Sequence, residues 1–276
     1  MPELPEVETV VRSLEQHLAG LEITAVDLHM PKVIRHPRPE IFTEEIVGKQ
    51  FLKKLGRRGK YILLNLTDGL TLVVHLRMTG RLVYCVAETP LEKHTHVVFH
   101  LNNGQHLRFT DIRQFGRMSL LPTNQVSEMS GIKDLGPEPL DTSFTREFLK
   151  KEFRRRRTRV KPLLLDQSFI AGLGNIYADE ALFRAKVHPE RLAAELSPRE
   201  VAALHKSIVE VIAGGIKHRG TTFRDYVDGE GRSGSFQHHL KVYNREGLPC
   251  SNCGKSIERI KVGGRSSYYC PYCQKK

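Results

Sequence analysis

The chain has 276 residues, with 43 Lys and Arg against 31 Asp and Glu, a formal net charge of +12 and 39% hydrophobic residues. It is long enough for two domains, or one large domain and a small module, and apolar enough for real cores. It has no run of about 18 apolar residues and its first residues are acidic rather than basic, which argues against a transmembrane helix and a secretory signal and leaves a soluble, cytoplasmic protein as the expectation.

In chain order, residues 2–20 read as a helix. Pro5 suits a first turn, Val7, Val10, Val11, Leu14 and Leu18 recur on one face, and Gly20 is a plausible stop. From 22 to 121 the pattern is strand-like. Apolar runs at 61–66 and 70–76 flank Thr67-Asp68-Gly69, and runs at 96–101 and 105–110 flank Asn102-Asn103-Gly104, two hairpin signals. Thr79-Gly80 suggests a third turn. A helix followed by antiparallel strands predicts a β-sandwich. Residues 122–142 are turn-rich and read as a linker. Beyond it the chain turns helical: one candidate helix covers 142–153, two helical patterns flank Gly172-Leu173-Gly174-Asn175, and Ser197-Pro198-Arg199-Glu200 is a capping box opening a helix that runs to Gly214-Gly215 or a little further. Residues 220–236 are glycine-rich and polar and read as a mobile loop. The last 40 or so residues form short strands around cysteines. The predicted fold is therefore multidomain α+β, divided into 1–135, 136–225 and 226–276.

Cys250-x-x-Cys253 and Cys270-x-x-Cys273, sixteen residues apart, have the spacing of a four-thiolate zinc site. Each knuckle turns two sulfurs toward one point, and four ligands leave no open position, so the expected zinc is structural. Disulfides are the alternative. Cys85 falls in a strand pattern and reads as a core residue. The hairpin between the knuckles carries Arg259, Lys261 and Arg265, with Gly263-Gly264 at its tip. A basic tip on a small module suits a nucleic acid, which also fits the net charge, since each phosphate neutralised releases counterions. A generally basic, solvated surface is the plainer reading.

The chain opens Met1-Pro2-Glu3-Leu4-Pro5-Glu6. Removal of Met1 leaves Pro2 with a free secondary amine, and an α-amino group titrates near ~8, so part of it is neutral and nucleophilic at neutral pH. Glu3 and Glu6 stand close by for proton transfer. A trimmed start followed by a helix cap is the bland alternative.

The opening Pro-Glu-Leu-Pro-Glu, Asn175 within Gly-Leu-Gly-Asn-Ile-Tyr-Ala-Asp-Glu, and the four-cysteine finger together resemble bacterial formamidopyrimidine-DNA glycosylase over essentially the whole chain. The resemblance implies a helix–two-turns–helix motif in the helical domain, a zinc-finger β-hairpin, and base excision repair of duplex DNA. An oxidised purine such as 8-oxoguanine or formamidopyrimidine is flipped out and removed through a Pro2 Schiff base, and β,δ-elimination then cuts the strand as an AP lyase. It further implies that Glu3 handles protons at the sugar and that Glu6 orients the N-terminus or a water. Lys60 and Arg265 join the catalytic set by holding phosphates at the lesion, with a solvated strand-end lysine and a solvated turn as the plainer readings of the two residues taken alone. Met78, Arg113 and Phe115 (in Asp111-Ile112-Arg113-Gln114-Phe115-Gly116) fill the hole left by the flipped base, although core packing would equally account for Met78 and Phe115 alone. Asn175 binds phosphate at a helix start, or is a plain cap. His75 and Arg77 read as phosphate or strand contacts, with a satisfied sheet histidine as the other reading of His75. Lys161, after the basic run 154–157, adds backbone affinity. The segment 220–226, with Thr221, Thr222, Phe223 and Asp225, corresponds to the lesion-capping loop. Double-stranded DNA is the expected partner, one zinc the cofactor, a monomer the expected state and the nucleoid the place of action. Two alternatives stand beside this: an endonuclease VIII-like activity on oxidised pyrimidines, and a non-catalytic zinc-ribbon protein that binds nucleic acid.

Overall fold

Helix α1 (Leu4–Leu18) forms where the apolar spacing places it, in a computed structural model that describes residues 1–276. Leu4, Val7, Val10, Val11, Leu14 and Leu18 are buried along one face, each contributing roughly 1.5–3 kcal/mol on leaving water. The helix is shorter than the expected 2–20, because Glu3 caps its start and Ala19 leaves helical geometry at its end.

The chain divides into two compact units, Met1–Lys133 with His218–Gln237, and Asp134–Lys217 with His238–Lys276. The first holds α1, β1 (Ile23–Leu28), β2 (Ile34–His36), α2 (Pro39–Ile46), β3 (Gly56–Arg58), β4 (Tyr61–Asn65), β5 (Leu70–His75), β6 (Gly80–Val86), β7 (Thr95–Leu101), β8 (Gln105–Asp111) and β9 (Arg117–Pro122). One sheet runs β1-β7-β8-β6 and the other β2-β9-β5-β4-β3. Both predicted hairpins are present, as β4–β5 and β7–β8. The β2–β9 pair is parallel, so the second sheet is mixed rather than wholly antiparallel. Residues from α1, α2 and both sheets, among them Leu14, Phe42, Ile62, Leu72, Phe99 and Phe109, share one apolar cluster. This is the sandwich core, with the helix closing it.

Residues 218–237 fold against the first unit, although they lie far from it in sequence and straddle the expected boundary near 225. Tyr84 N–H donates to Gly229 O at 2.8 Å, and Gly229 N–H donates to Ser13 Oγ of α1 at 2.8 Å. Tyr226 Oη donates to Glu6 O at 3.2 Å. Asp228, fully buried, pairs with Arg219 and accepts N–H bonds from Glu230 and Arg232 at 2.9 and 3.0 Å. The segment expected to be a mobile loop is thus a packed, hydrogen-bonded strap.

In the second unit, α3 (Arg146–Arg154) starts where Thr145 accepts Phe148 N–H at 3.0 Å, later than the expected 142. It is followed by α4 (Val160–Leu165), α5 (Asn175–Arg184) and α6 (Pro198–Lys217). The Ser197–Glu200 capping box closes as predicted, Ser197 N–H to Glu200 Oε2 at 2.8 Å and Glu200 N–H to Ser197 Oγ at 3.3 Å. The terminal hairpin pairs β10 (Glu258–Val262) with β11 (Arg265–Tyr269) across Gly263-Gly264.

The strap tolerates no side chain at Gly234, where a Cβ would lie 2.2 Å from Gly220 O and 2.5 Å from Arg219 O, both backbone atoms. Gly234→Ala is expected to cost about 1–3 kcal/mol and to open the strap to proteolysis. Thermal denaturation together with limited proteolysis, cleavage sites read by mass spectrometry, checks this.

Candidate active site and nucleic-acid interface

The first three residues lead directly into α1, and the site begins there. Pro2 is buried, and Glu3 and Glu6 are 4% and 2% exposed. Glu3 is the N-cap, and it forms a capping box with Glu6, whose Oε2 accepts Glu3 N–H at 2.9 Å. The other Glu6 oxygen accepts Thr221 N–H from the strap at 2.7 Å. One carboxylate therefore ties the start of the helix to residue 221. Tyr226 packs beside it; burial and then the Glu6 charge push its phenol well above the usual range, so it stays a hydrogen-bond donor.

Lys60 sits in the turn between β3 and β4 and is 6% exposed, so it is not a solvated strand-end lysine. The turn is braced to α1. Glu8 Oε2 accepts Arg57 Nε at 2.8 Å, and the same guanidinium donates to Gly59 O at 3.0 Å. Burial acts to raise the Glu8 pKa, but hydrogen bonds and charge from Arg57 and Arg12 hold it below the ordinary value. His75, at the end of β5, is buried; its Nδ1 accepts Arg77 N–H at 3.0 Å and its ring meets Tyr61 edge-on at 4.6 Å. Desolvation, with the charges of Arg77 and Lys60, lowers its pKa to about 3. His75, Tyr61, Arg35, Arg77, Arg117 and Phe115 line part of a cavity of about 730 Å³ that Met1 also borders. It is cationic and aromatic, suited to phosphate and base.

Met78 and Phe115 are 41% and 47% exposed, which removes core packing as their explanation. The Arg113 guanidinium stands over the Phe115 ring, 5.2 Å from its centroid. Both exposed side chains follow a residue in left-handed backbone conformation, Arg77 at φ 54° and Gln114 at φ 58°. Non-glycine residues adopt that conformation rarely and at a cost.

In the second unit, Asn175 is the first residue of α5, after the N-cap Gly174. It is therefore not the cap itself. Its Nδ2 donates to Ser266 O on β11 at 3.0 Å, beside the exposed Arg265. Lys161 departs from expectation: its side chain is 0% exposed and cannot lie on a DNA-facing surface. Its Nζ pairs with Asp179 Oδ1 at 2.6 Å and donates to Ser266 O at 2.8 Å, while Asp179 Oδ2 accepts Tyr268 N–H at 3.0 Å. Burial raises the Asp179 pKa and Lys161 pulls against it. Glu180 accepts N–H bonds from Lys241, Val242 and Tyr243 at 2.9–3.0 Å. The zinc hairpin is thus clamped to α4 and α5 by buried charge.

The four sulfurs of Cys250, Cys253, Cys270 and Cys273 lie within 4.8 Å of one another. Cys250–Cys273 and Cys253–Cys270 are 3.9 and 3.4 Å apart, too far for disulfides and close to the edge of a tetrahedron of about 3.8 Å built on Zn–S bonds of about 2.3 Å. The donor set fits one zinc ion with no open position, and the metal's contribution there is folding. Cys85 stands apart in β6, half-buried.

The Glu8–Arg57 brace, the Arg35 and Arg117 walls of the cavity, and the Asp179 and Glu180 clamps were not singled out from sequence. Asp179-Glu180 did lie inside the Asn175 motif; for Arg57, whose partner is on another element, no local signal exists.

Residues 1–118 match the family profile described as the formamidopyrimidine-DNA glycosylase N-terminal domain, 135–227 the H2TH domain of the same enzyme, and 247–276 the zinc finger found in FPG and IleRS. The formamidopyrimidine-DNA glycosylase of Desulforamulus reducens is 74% identical over 275 residues, covering 100% of this chain and 99% of that protein. That of Pelotomaculum thermopropionicum is 62% identical with the same coverage. A variant of Lactococcus lactis FPG in complex with Fapy-dG-containing DNA superposes with a TM-score of 0.94 at 38% identity, covering 100% of both chains. The wild-type Lactococcus protein in complex with oxidised-pyrimidine-containing DNA gives 0.93 at 37% identity, again over 100% of both chains.

Two measurements follow from the geometry. His75 titrates near 3 when folded and near ~6.5 when unfolded, so the unfolded state binds the extra proton and stability falls as pH drops from about 6.5 toward 3, by at most about 1.4 kcal/mol per pH unit. Denaturant titrations at stepped pH should show a shallower slope in His75→Gln than in the native chain, the difference being the His75 contribution. Lys161→Ala strands a buried carboxylate and is expected to cost about 3–5 kcal/mol in the same titrations, whereas exposed Arg265→Ala leaves stability within about 0.5 kcal/mol and lowers the salt slope of DNA binding by about one.

Proposed function

The chain belongs to the formamidopyrimidine-DNA glycosylase family, and from that premise we propose how its own residues carry out excision of oxidised purines and cleavage of the strand at the resulting abasic site. With Met1 removed, the Pro2 nitrogen attacks C1′ of the flipped nucleotide and the bond to the base breaks. Ring opening leaves an iminium, because a secondary amine cannot form a neutral imine. That cation acidifies C2′, so a base can take its proton and the 3′ phosphate leaves, followed by the 5′ phosphate. Glu3 exchanges protons with the sugar. Glu6, committed to two backbone N–H groups, orients the N-terminus rather than transferring protons. Lys60 holds a phosphate beside the lesion, and neutral His75, with Arg77, borders the cavity that Met1 also lines.

Met78, Arg113 and Phe115 occupy the gap left by the flipped base; their exposure and the Arg113–Phe115 stack favour this. Arg113 supplies donors to the orphaned base, a cytosine opposite 8-oxoguanine. Asn175 and Arg265 bind phosphate, one from a helix start and one from a hairpin tip. Residues 221–226 cover the lesion. Chemistry belongs to the segment 1–135 together with the strap 218–237; duplex binding belongs to the part of 136–225 before the strap, and the zinc finger to the part of 226–276 after it. One active centre and a basic surface account for DNA binding by a monomer working at the nucleoid.

The observation that carries the reading is the pair of buried carboxylates at the start of α1, holding the residue after Pro2 on a rigid helix. Borohydride trapping tests it. Processed protein should give a covalent adduct with an 8-oxoguanine duplex, and Pro2→Gly or protein retaining Met1 should lose it by about 100-fold or more. An adduct that survives in both would place the nucleophile elsewhere. Running the same assay on oxidised-pyrimidine duplexes sets the breadth of the activity.

A further inference from the structure

Asp111 ends β8 and is 0% exposed. Its Oδ1 accepts the Thr79 hydroxyl at 2.5 Å and Arg113 N–H at 3.2 Å, and its Oδ2 accepts Gly116 N–H at 2.7 Å. Thr79 Oγ1 in turn accepts Arg113 N–H at 3.0 Å. The main chain of Asp111 is itself fixed, its N–H donating to His94 O at 3.0 Å and its carbonyl 2.8 Å from His96 Nε2. One carboxylate therefore joins two loops that are separate in sequence, the 76–80 turn that presents Met78 and the 111–116 loop that presents Arg113 and Phe115. Gly116 must come close for this to work: a Cβ there would lie 2.3 Å from the Phe109 ring and 3.1 Å from Asp111 Oδ2. The left-handed residues Arg77 and Gln114 fall one position before the two exposed wedge side chains, so each loop aims its side chain from a backbone that needs external support.

We propose that Asp111 is the positioning residue that makes Met78, Arg113 and Phe115 act as one preorganised wedge during base flipping. The proposal rests on the gap-filling role assigned above to those three residues. Asp111 does not touch DNA. A burial this complete is costly for a carboxylate unless it is hydrogen-bonded, and here its three donors come from the two wedge loops themselves. A wedge held only by its own backbone would relax from its strained conformation in free protein and would have to be rebuilt at each flipping event. A braced wedge meets the duplex already formed.

Asp111→Asn keeps size and shape but offers one acceptor oxygen, so its amide opposes either Gly116 N–H or the Thr79–Arg113 pair, donor against donor. Thr79→Val removes the side-chain link between the loops and leaves the carboxylate and the Gly80–Asp111 strand pairing in place, a second variant should Asp111→Asn fail to fold. Both are measured by single-turnover excision from an 8-oxoguanine duplex, by 2-aminopurine fluorescence as the reporter of base opening, and by lyase cleavage of a single-stranded oligonucleotide with a preformed abasic site, where no stack needs opening. The expected result is a loss of roughly 10-fold to 100-fold in duplex excision, with slowed base opening and with single-strand lyase rates and duplex affinity within about 3-fold of the parent. Unchanged duplex excision in a folded Asp111→Asn or Thr79→Val protein overturns the proposal, and so does an equal loss on duplex and single strand, which would mark general damage. Phe115→Ala is run alongside: if it shows no duplex-selective loss, the wedge assignment itself fails, whereas a loss there with none in the Asp111 and Thr79 variants sinks only the brace.

Discussion

The hydrogen bonds of Glu6 are the constraint on which the catalytic half of the molecule depends. A chain terminus frays unless something ties it down. Here the first residues are fastened to a helix whose apolar face is buried, and the fastening group is a carboxylate that bonds Glu3 N–H with one oxygen and Thr221 N–H with the other. A shorter aspartate would not span both donors, and a glutamine would present a donor to one of them. The same bond pair makes the strap 218–237 part of the site instead of a remote loop, because residue 221 and the start of the helix share an anion. Spreading the Glu6 charge over two backbone donors makes the carboxylate an anchor for both segments.

Features that depend on a few neighbouring residues were legible from sequence. The face of α1, the two hairpins with their turn residues, the Ser197 capping box and the cysteine knuckles are set by spacings of two to four positions, and each is present. Element ends were less legible, because a single cap decides them: Glu3 and Thr145 start their helices at places that periodicity alone does not mark. Burial set by distant partners was not legible at all. Lys161 follows a basic run and reads as one more surface cation, yet Asp179 and Ser266 enclose it. The strap has the glycine-rich, polar composition of a solvated loop, but Ser13, Glu6 and Tyr84 satisfy its backbone from positions that composition cannot reveal. Among the candidate site residues, Pro2, Glu3 and the cysteines carried their own chemical logic. Asn175, Met78 and Phe115 did not, since an asparagine after glycine or an apolar residue near a turn has many ordinary explanations; there the likeness to a known family supplied what spacing could not.

The distribution of acids explains how a chain of net charge +12 is both a polyanion binder and an ordered protein. Seven acidic side chains are buried, namely Glu3, Glu6, Asp111, Glu138, Asp179, Glu180 and Asp228, against three basic ones, Lys60, Arg108 and Lys161. Withdrawing acids from the surface leaves the exposed charge still more positive than the formal total, which favours phosphate at every approach. The withdrawn acids do a second job. Glu6, Asp111, Glu180 and Asp228 each accept two or more backbone N–H groups, and the donors lie mainly in the 218–237 strap, the 111–116 loop and the approach to the zinc knuckles. A carboxylate suits this role better than a neutral acceptor: it has four lone-pair positions and its bonds are charge-assisted, so one residue can gather several donors whose chain has no ladder to join. Placing these four carboxylates inside lets the loops be shaped by anions while Arg113, Arg224, Arg232 and Lys241 stay exposed.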